Sequence, residues 1–219
     1  MDRMDNRPSV DLIAMRREYG ISRLDVSDAA DDPFRQFSQW LDAAVAAGGL
    51  EPHAMTLSTA ADGAVTARTV LLKGVDARGF VFATNYRSSK GVALAANPRV
   101  ALTFHWRELE RQVCITGTAR RTTSAESDAI FAARPREARV ASYASPQSSV
   151  LADRAELDAL VAAAEARFAG QDVPRPRHWG GVRVRPDTVE FWQGGPGRLH
   201  DRLRFTRAGR GWRIERLAP

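Results

Sequence analysis

The sequence predicts a mainly β protein, an antiparallel barrel or half-barrel carrying peripheral helices. Short runs rich in β-branched and aromatic residues fill the middle and the end of the chain, and tight-turn residues separate them. Helical patterns interrupt these runs irregularly, whereas a parallel α/β sheet would alternate strand and helix. Barrel closure also removes exposed strand edges. The 219 residues suffice for one domain, and neither an internal repeat nor a second-domain boundary is visible.

Taken in order, residues 1–8 read as a frayed end, and residues 9–19 (SVDLIAMRREY) group Leu12, Ile13 and Met15 in a short helical pattern closed by Gly20. Residues 21–32 are polar and acidic, a linker. Asp32-Pro33 opens a helix with a capping aspartate and a first-turn proline. Phe34, Phe37, Trp40, Leu41, Ala44 and Val45 form its apolar stripe, and Gly48-Gly49 stops it. Strands are expected over 54–60 and 64–72, around an Asp62-Gly63 turn, then over 79–84, 99–106 and 111–120. Helices are expected over 88–96, 123–133 and 150–169, the last anchored by Leu151, Leu157, Leu160, Val161 and Phe168. Residues 184–193, 202–207 and 211–217 supply the closing strands.

Composition excludes several classes. Hydrophobic residues at 44% and charged residues at 26% describe an ordinary globular chain. No apolar run approaches the roughly 18 residues that cross a bilayer. The start, MDRMDNRPSV, has early acids and no apolar h-region, which predicts a cytoplasmic protein. The lone cysteine, Cys114, leaves no intrachain disulfide. His53, His105, His178 and His200 are far apart and no metal-binding spacing occurs, so no metal is expected. The net charge of +6 comes mostly from scattered arginines with no basic run of five, which argues against nucleic acid and leaves room for small phosphorylated ligands. No GxSxG elbow or glycine-rich phosphate loop is present.

Five stretches could carry chemistry. In ARTVLLKG (67–74), alternation places Arg68 with Val70 and Leu72, and Lys73 on the other face unless a bulge resets the phase. The ordinary alternative is two solvated cations on an edge strand. In TNYRSSKG (84–91), Ser88 or Ser89 can cap a helix with Lys90 in its first turn, which suits a phosphate or is simply a capped helix with an exposed lysine. Gln112 begins a strand after WRELERQ. In ASPQSS (144–149), Gln147 and Ser148 precede the long helix, with Ser148 or Ser149 as its expected cap. The densest stretch, WQGGPGRLHDR (192–202), holds Trp192, Arg198, His200 and Arg202. If 198–202 is extended, Arg198, His200 and Arg202 share a face suited to an anionic, planar ligand, or to solvent.

Together, RREY (16–19), RTVLLK (68–73), TNYRSSKG (84–91), WRELERQV (106–113), RP (134–135), QS (147–148), PxxxxWGG (174–181 region), EFWQG (190–194), RLHDR (198–202) and RLAP (216–219) resemble the pyridoxine/pyridoxamine 5′-phosphate oxidase family. The resemblance implies an antiparallel, Greek-key, FMN-binding split β-barrel, a homodimer with FMN at the subunit interface, and a mobile N-terminal segment (1–20) ahead of one domain (21–219) whose C-terminal part serves dimerisation and the active site. It implies FMN contacts from Arg68, Thr69, Val70, Leu71, Leu72, Lys73, Ala83, Thr84, Ser89, Lys90, Gln112, Gln147, Ser148, Trp192 and Arg202. Substrate contacts would come from Arg16, Tyr19, Lys73, Ile130, Arg134, Ala138, Arg198, Leu199 and His200, with Arg198 and His200 nearest the chemistry. The implied reaction oxidises pyridoxamine or pyridoxine 5′-phosphate with O2.

Four positions depart from the family pattern. Ile130 stands where a tyrosine, and Ala138 where a serine, usually holds substrate phosphate; Ala83 and Ser89 replace a common tyrosine and arginine on the cofactor side. The alternatives are a related flavin oxidase, similar to those of phenazine biosynthesis, or a non-catalytic FMN or pyridoxal-phosphate binder.

Overall fold

The computed structural model describes residues 11, 12, 15 and 17–219. Helix α1 (Pro33–Ala46) comes first, followed by strands β1 (Ala54–Ala61), β2 (Ala64–Asp76) and β3 (Gly79–Asn85). Helix α2 (Ser89–Ala96) leads to β4 (Arg99–Trp106) and β5 (Arg111–Arg121). Helices α3 (Ser124–Ala132), α4 (Arg136–Ala144) and α5 (Arg154–Arg167) precede β6 (Trp179–Gln193), β7 (Asp201–Ala208) and β8 (Gly211–Leu217).

The strands run β3-β2-β1-β4-β5-β6-β7-β8, and β3 also pairs with β6. The order 3-2-1-4 is that of a Greek key. Asp62 and Gly63 both have positive φ, 51° and 76°, the left-handed pair that matches hairpin twist between β1 and β2. One edge of the long β6 serves two strands in succession: residues 179–184 close the barrel against β3, and residues 188–193 pair with β7. Closure therefore extends along only half of β6, and the barrel is split.

Asp32 caps α1, accepting the N–H groups of Phe34 and Arg35. The buried face of α1 enters the barrel, with Phe37 ring centroids 4.9 Å from Phe80 and 4.8 Å from Phe104, and Trp40 5.2 Å from Phe191. A second apolar cluster, with Phe131, Val140, Phe168 and Trp179, joins α3, α4 and α5 to the start of β6. No helix among the described residues is long and apolar enough to cross a membrane.

Several expectations are corrected. None of the described residues in 9–19 is helical; the others in that span, and residues 1–8, lie outside the described residues. Tertiary contacts override the local pattern there, because Glu110 accepts the backbone N–H groups of Gly20 and Ile21. Val45 and Leu160 are exposed, so neither belongs to a buried stripe. The long helix is capped by Asp153, whose carboxylate takes the N–H of Glu156, and not by Ser148 or Ser149. Arg198 lies in a 3-10 turn (Pro196–Arg198) at φ 67°, so it shares no strand face with His200 and Arg202.

Candidate active site

Alternation along β2 sends Val70 and Leu72 into the barrel core, while Thr69, Leu71 and Lys73 face a cavity of about 610 Å³ that Val70 also borders. Leu72 pairs with Phe82 and Gly74 with Val81, a bulge that leaves Lys73 as the extra residue. Strand β3 adds Ala83, Thr84 and Asn85, and α3, α4 and their junction close the far side with Ile130, Arg134 and Ala138.

Beyond β3 the backbone turns sharply. The Asn85 side-chain oxygen accepts the Arg87 N–H at 2.8 Å, and its carbonyl accepts the Ser88 hydroxyl at 2.7 Å. Ser88, fully buried, caps α2 by accepting the Gly91 N–H. This sets Lys90 in the first turn, its Nζ 3.0 Å from Gln147 Oε1 and 3.4 Å from Ser88 Oγ. Ser89 and Ser148 line an adjoining hollow with Arg87, and Gln147 borders both spaces.

The electrostatics are one-sided. Burial lowers the Lys90 pKa below the ordinary lysine value, and the nearby Arg68 charge lowers it further. Burial likewise lowers Arg68 and Arg134. Arg68 donates to the Leu57 carbonyl at 3.2 Å and to the Thr59 hydroxyl at 2.9 Å. Arg134 lies 4.7 Å above the Trp179 ring and donates to the Ala138 carbonyl at 2.9 Å. No Asp or Glu among the described residues lines the cavity. Desolvated cations without a carboxylate neighbour gain most from a bound anion, and a phosphate ester suits that donor set.

The remaining expected residues gather elsewhere. Gln112, Trp192 and Arg202 form one lateral row across β5, β6 and β7. Arg202 donates to Glu190 at 2.8 Å and to the Ala218 carbonyl at 2.9 Å; the hydrogen bond to Glu190 raises its pKa. His200 Nδ1 accepts the Gly195 N–H at 3.1 Å, which leaves Nε2 to carry the proton of the neutral ring. Its ring sits 4.6 Å from Trp192 and 5.8 Å from Tyr19. Arg198 and Leu199 are exposed beside it. None of Gln112, Trp192, Arg198, Leu199, His200 and Arg202 lines the main cavity of this chain. Arg16 lies outside the described residues.

A family model described as pyridoxamine 5′-phosphate oxidase matches residues 41–193. The chain belongs to the pyridoxine/pyridoxamine 5′-phosphate oxidase family. A second model, the pyridoxine 5′-phosphate oxidase C-terminal dimerisation region, matches residues 179–219 and so contains Trp192, Arg198, His200 and Arg202. The oxidase of Rubrobacter xylanophilus is 55% identical over 95% of this chain and 97% of its own. That of Thermosynechococcus vestitus is 57% identical over 94% and 97%. Among solved structures, PhzG from Burkholderia lata, in complex with tetrahydrophenazine-1-carboxylic acid, superposes with a TM-score of 0.83 at 34% identity, covering 88% of this chain and 95% of that one. A related FMN-binding protein from Nostoc punctiforme shares the fold, with a TM-score of 0.68 at 15% identity.

Sequence reasoning missed Asn85, Ser142 and Trp179 as cavity residues. Asn85 and Trp179 lie inside stretches that carry the family resemblance, yet only the fold turns them toward the cavity. Ser142 carries no signal, since the helix that presents it was not expected.

Proposed function

We propose that this cavity is the oxidase site of the family. The protein is an FMN-dependent oxidase, a pyridoxal 5′-phosphate synthase, that converts pyridoxamine or pyridoxine 5′-phosphate to pyridoxal 5′-phosphate and reduces O2 to hydrogen peroxide. The observation that carries the site assignment is the set of cations Lys73, Lys90 and Arg134 around one carboxylate-free cavity.

The residues fit FMN. Lys90 and Arg68, with the capped Ser88-Ser89 turn, form a cationic cradle for its phosphate, and Thr69, Val70, Leu71, Thr84, Gln147 and Ser148 border the rest, while Leu72 backs them from the barrel core. FMN held there would supply the redox chemistry that couples oxidation of the substrate at C4′ to reduction of O2. Lys73 and Arg134 hold the substrate phosphate; Ile130 and Ala138 border that end without donors of their own. Arg198 orients the C4′ substituent, and His200, with Nδ1 occupied by Gly195, presents Nε2 toward the substrate. Gln112, Trp192, Arg198, His200 and Arg202 reach the cavity across a homodimer interface, a reading supported by their separation from it within one chain and by the dimerisation region that holds all of them but Gln112, which pairs with Trp192. A cytoplasmic setting completes the reading, in keeping with the unpaired Cys114.

The test is an aerobic assay of FMN-loaded protein with each phosphorylated vitamer, following aldehyde and peroxide. Both products should appear. Neither appearing above a flavin-only control sinks the assignment and leaves a binding protein. Unphosphorylated pyridoxamine should be a far poorer substrate; equal turnover would remove Lys73 and Arg134 from their role and favour an oxidase for a different small molecule.

A further inference from the structure

Glu110 is the only buried carboxylate among the described residues, 3% exposed, and it sits at φ 54° in the left-handed region that disfavours a residue with a Cβ. Its side chain is turned onto the segment ahead of α1. One oxygen, Oε2, accepts both the Gly20 N–H at 2.8 Å and the Ile21 N–H at 3.1 Å, and Oε1 lies 3.7 Å from the Arg17 guanidinium. Its own carbonyl accepts the Gly194 N–H at 2.8 Å and the Gln193 side-chain amide at 3.3 Å. One residue thus ties residues 17–21 to the end of β6.

Tyr19 lies within that tied segment. Its ring meets Trp192 edge-on at 5.7 Å and His200 at 5.8 Å. The slot it fills depends on Gly194: a Cβ there would come within 2.9 Å of Tyr19 Cγ and 3.0 Å of Glu110 Cβ. Two other ties flank it: the Glu18 carboxylate accepts the Gly197 N–H in an exposed contact at 3.5 Å, and the Leu24 N–H donates to Asp201 at 3.1 Å further along; neither takes a backbone N–H of residues 17–21.

We infer that Glu110 is a positioning residue: its carboxylate latches residues 17–21 onto the end of β6 and so holds Tyr19 against His200 and Trp192, fixing one wall of the substrate site. Two N–H donors converging on one oxygen call for a strong acceptor. Without it they return to water and the segment swings free, while the redox machinery stays in place. The role of that wall rests on the reading of His200 given above; the latch itself does not.

The test uses the full-length, FMN-loaded protein and the variants Glu110→Ala, Glu110→Gln, Gly20→Pro and Gly20→Ala. Gly20 is exposed, has no positive φ, and a Cβ added there meets nothing within 4 Å, so Gly20→Ala keeps the N–H at no steric cost and Gly20→Pro deletes it. Trypsin cleavage at Arg17 and Arg23 reports the latch without turnover, and kcat and KM report the wall. Glu110→Ala and Gly20→Pro should each be cleaved about tenfold faster and show KM raised about tenfold, the scale of a lost charge-assisted bond, with FMN affinity unchanged. Glu110→Gln should fall between them and the parent protein, and Gly20→Ala should match the parent. Cleavage of both Glu110→Ala and Gly20→Pro at the parent rate overturns the latch; faster cleavage with unchanged KM overturns its positioning role. If Glu110→Ala fails to fold, Gly20→Pro decides alone. A parent protein that produces no aldehyde defeats the function reading instead, and the cleavage rates still decide the latch.

Discussion

Lys90 combines two demands that conflict until a ligand arrives. It must be charged to hold a phosphate, yet burial and Arg68 both disfavour that charge and lower its pKa from the ordinary 10.5. Phosphate affinity is therefore full below the lowered pKa and declines as pH rises through it, earlier than for an exposed lysine. FMN titrations at rising pH should show this decline setting in below the ordinary lysine value, and Lys90→Arg, which stays charged, should flatten it. A parent profile as flat as that of Lys90→Arg would remove Lys90 from the cradle. At the other end of the cavity Lys73 is exposed. Lys73→Ala should raise the substrate KM by about 10- to 100-fold, with little change in FMN binding, because Ile130 and Ala138 offer no replacement donor. Steady-state kinetics beside an FMN titration separates the two effects. The cations themselves were legible in the sequence, as basic residues set among strand and helix-start patterns. Their shared orientation was not, since it depends on the bulge at Lys73 and on the loop that brings Gln147 to Lys90.

Helix α2 shows how an element places such a residue. Ser88 has no exposed surface and bonds three ways: its hydroxyl donates to Asn85, accepts from Gly91 and lies 3.4 Å from Lys90 Nζ. Ser88→Ala should cost about 1–2 kcal/mol of stability, the usual worth of a buried cap. It should also weaken FMN several-fold, because the turn that frays carries the proposed phosphate cradle. Thermal unfolding of the FMN-free protein and an FMN titration read the two effects separately, and a lowered Tm with unchanged FMN affinity would make the cap purely structural. The sequence announced α2 through its serine cap and α1 through Asp32-Pro33. It gave no comparable sign of α4, which begins after Pro135 with no side-chain cap and buries only Val140 and Ala144. That helix is held from outside, by Tyr143, its ring tilted 56° to that of Phe168 at 4.7 Å, and by Arg136 donating to the Phe168 carbonyl. Local pattern cannot reveal a helix whose stability lies in contacts with residues about thirty positions away.

At the scale of the molecule, the residues of the proposed site fall into two separate groups within one chain. Strands β2 and β3 with α2–α4 build the cationic cavity, whereas β5, β6 and β7 carry Gln112, Trp192 and Arg202 away from it, with His200 in the turn just before β7. Family resemblance assigns these residues to one site, but strand order divides them, because β6 leaves the closed barrel after pairing with β3 and continues beside β7. If a homodimer brings the halves together, the site must obey complementation. Assayed at substrate concentrations well below KM, Lys73→Ala nearly silences the cavity half and Arg198→Ala the other half, so each variant alone has no intact site. After random subunit exchange, half of the dimers carry one subunit of each kind. Each of those holds one fully intact site and one doubly altered site, so the mixture should recover up to about a quarter of parent activity. A site confined within one chain would recover nothing under the same exchange. Unfolding and refolding the two variants together, then comparing the mixture with each variant refolded alone, gives the measurement. Recovery would also make FMN affinity depend on protein concentration, since a lone subunit offers the cofactor only the cavity half. The absence of recovery, with subunit exchange verified by a size tag, would confine the active site to one chain and require Arg198 and His200 to reach the cavity by a rearrangement of the turn at Gly194 to Gly197.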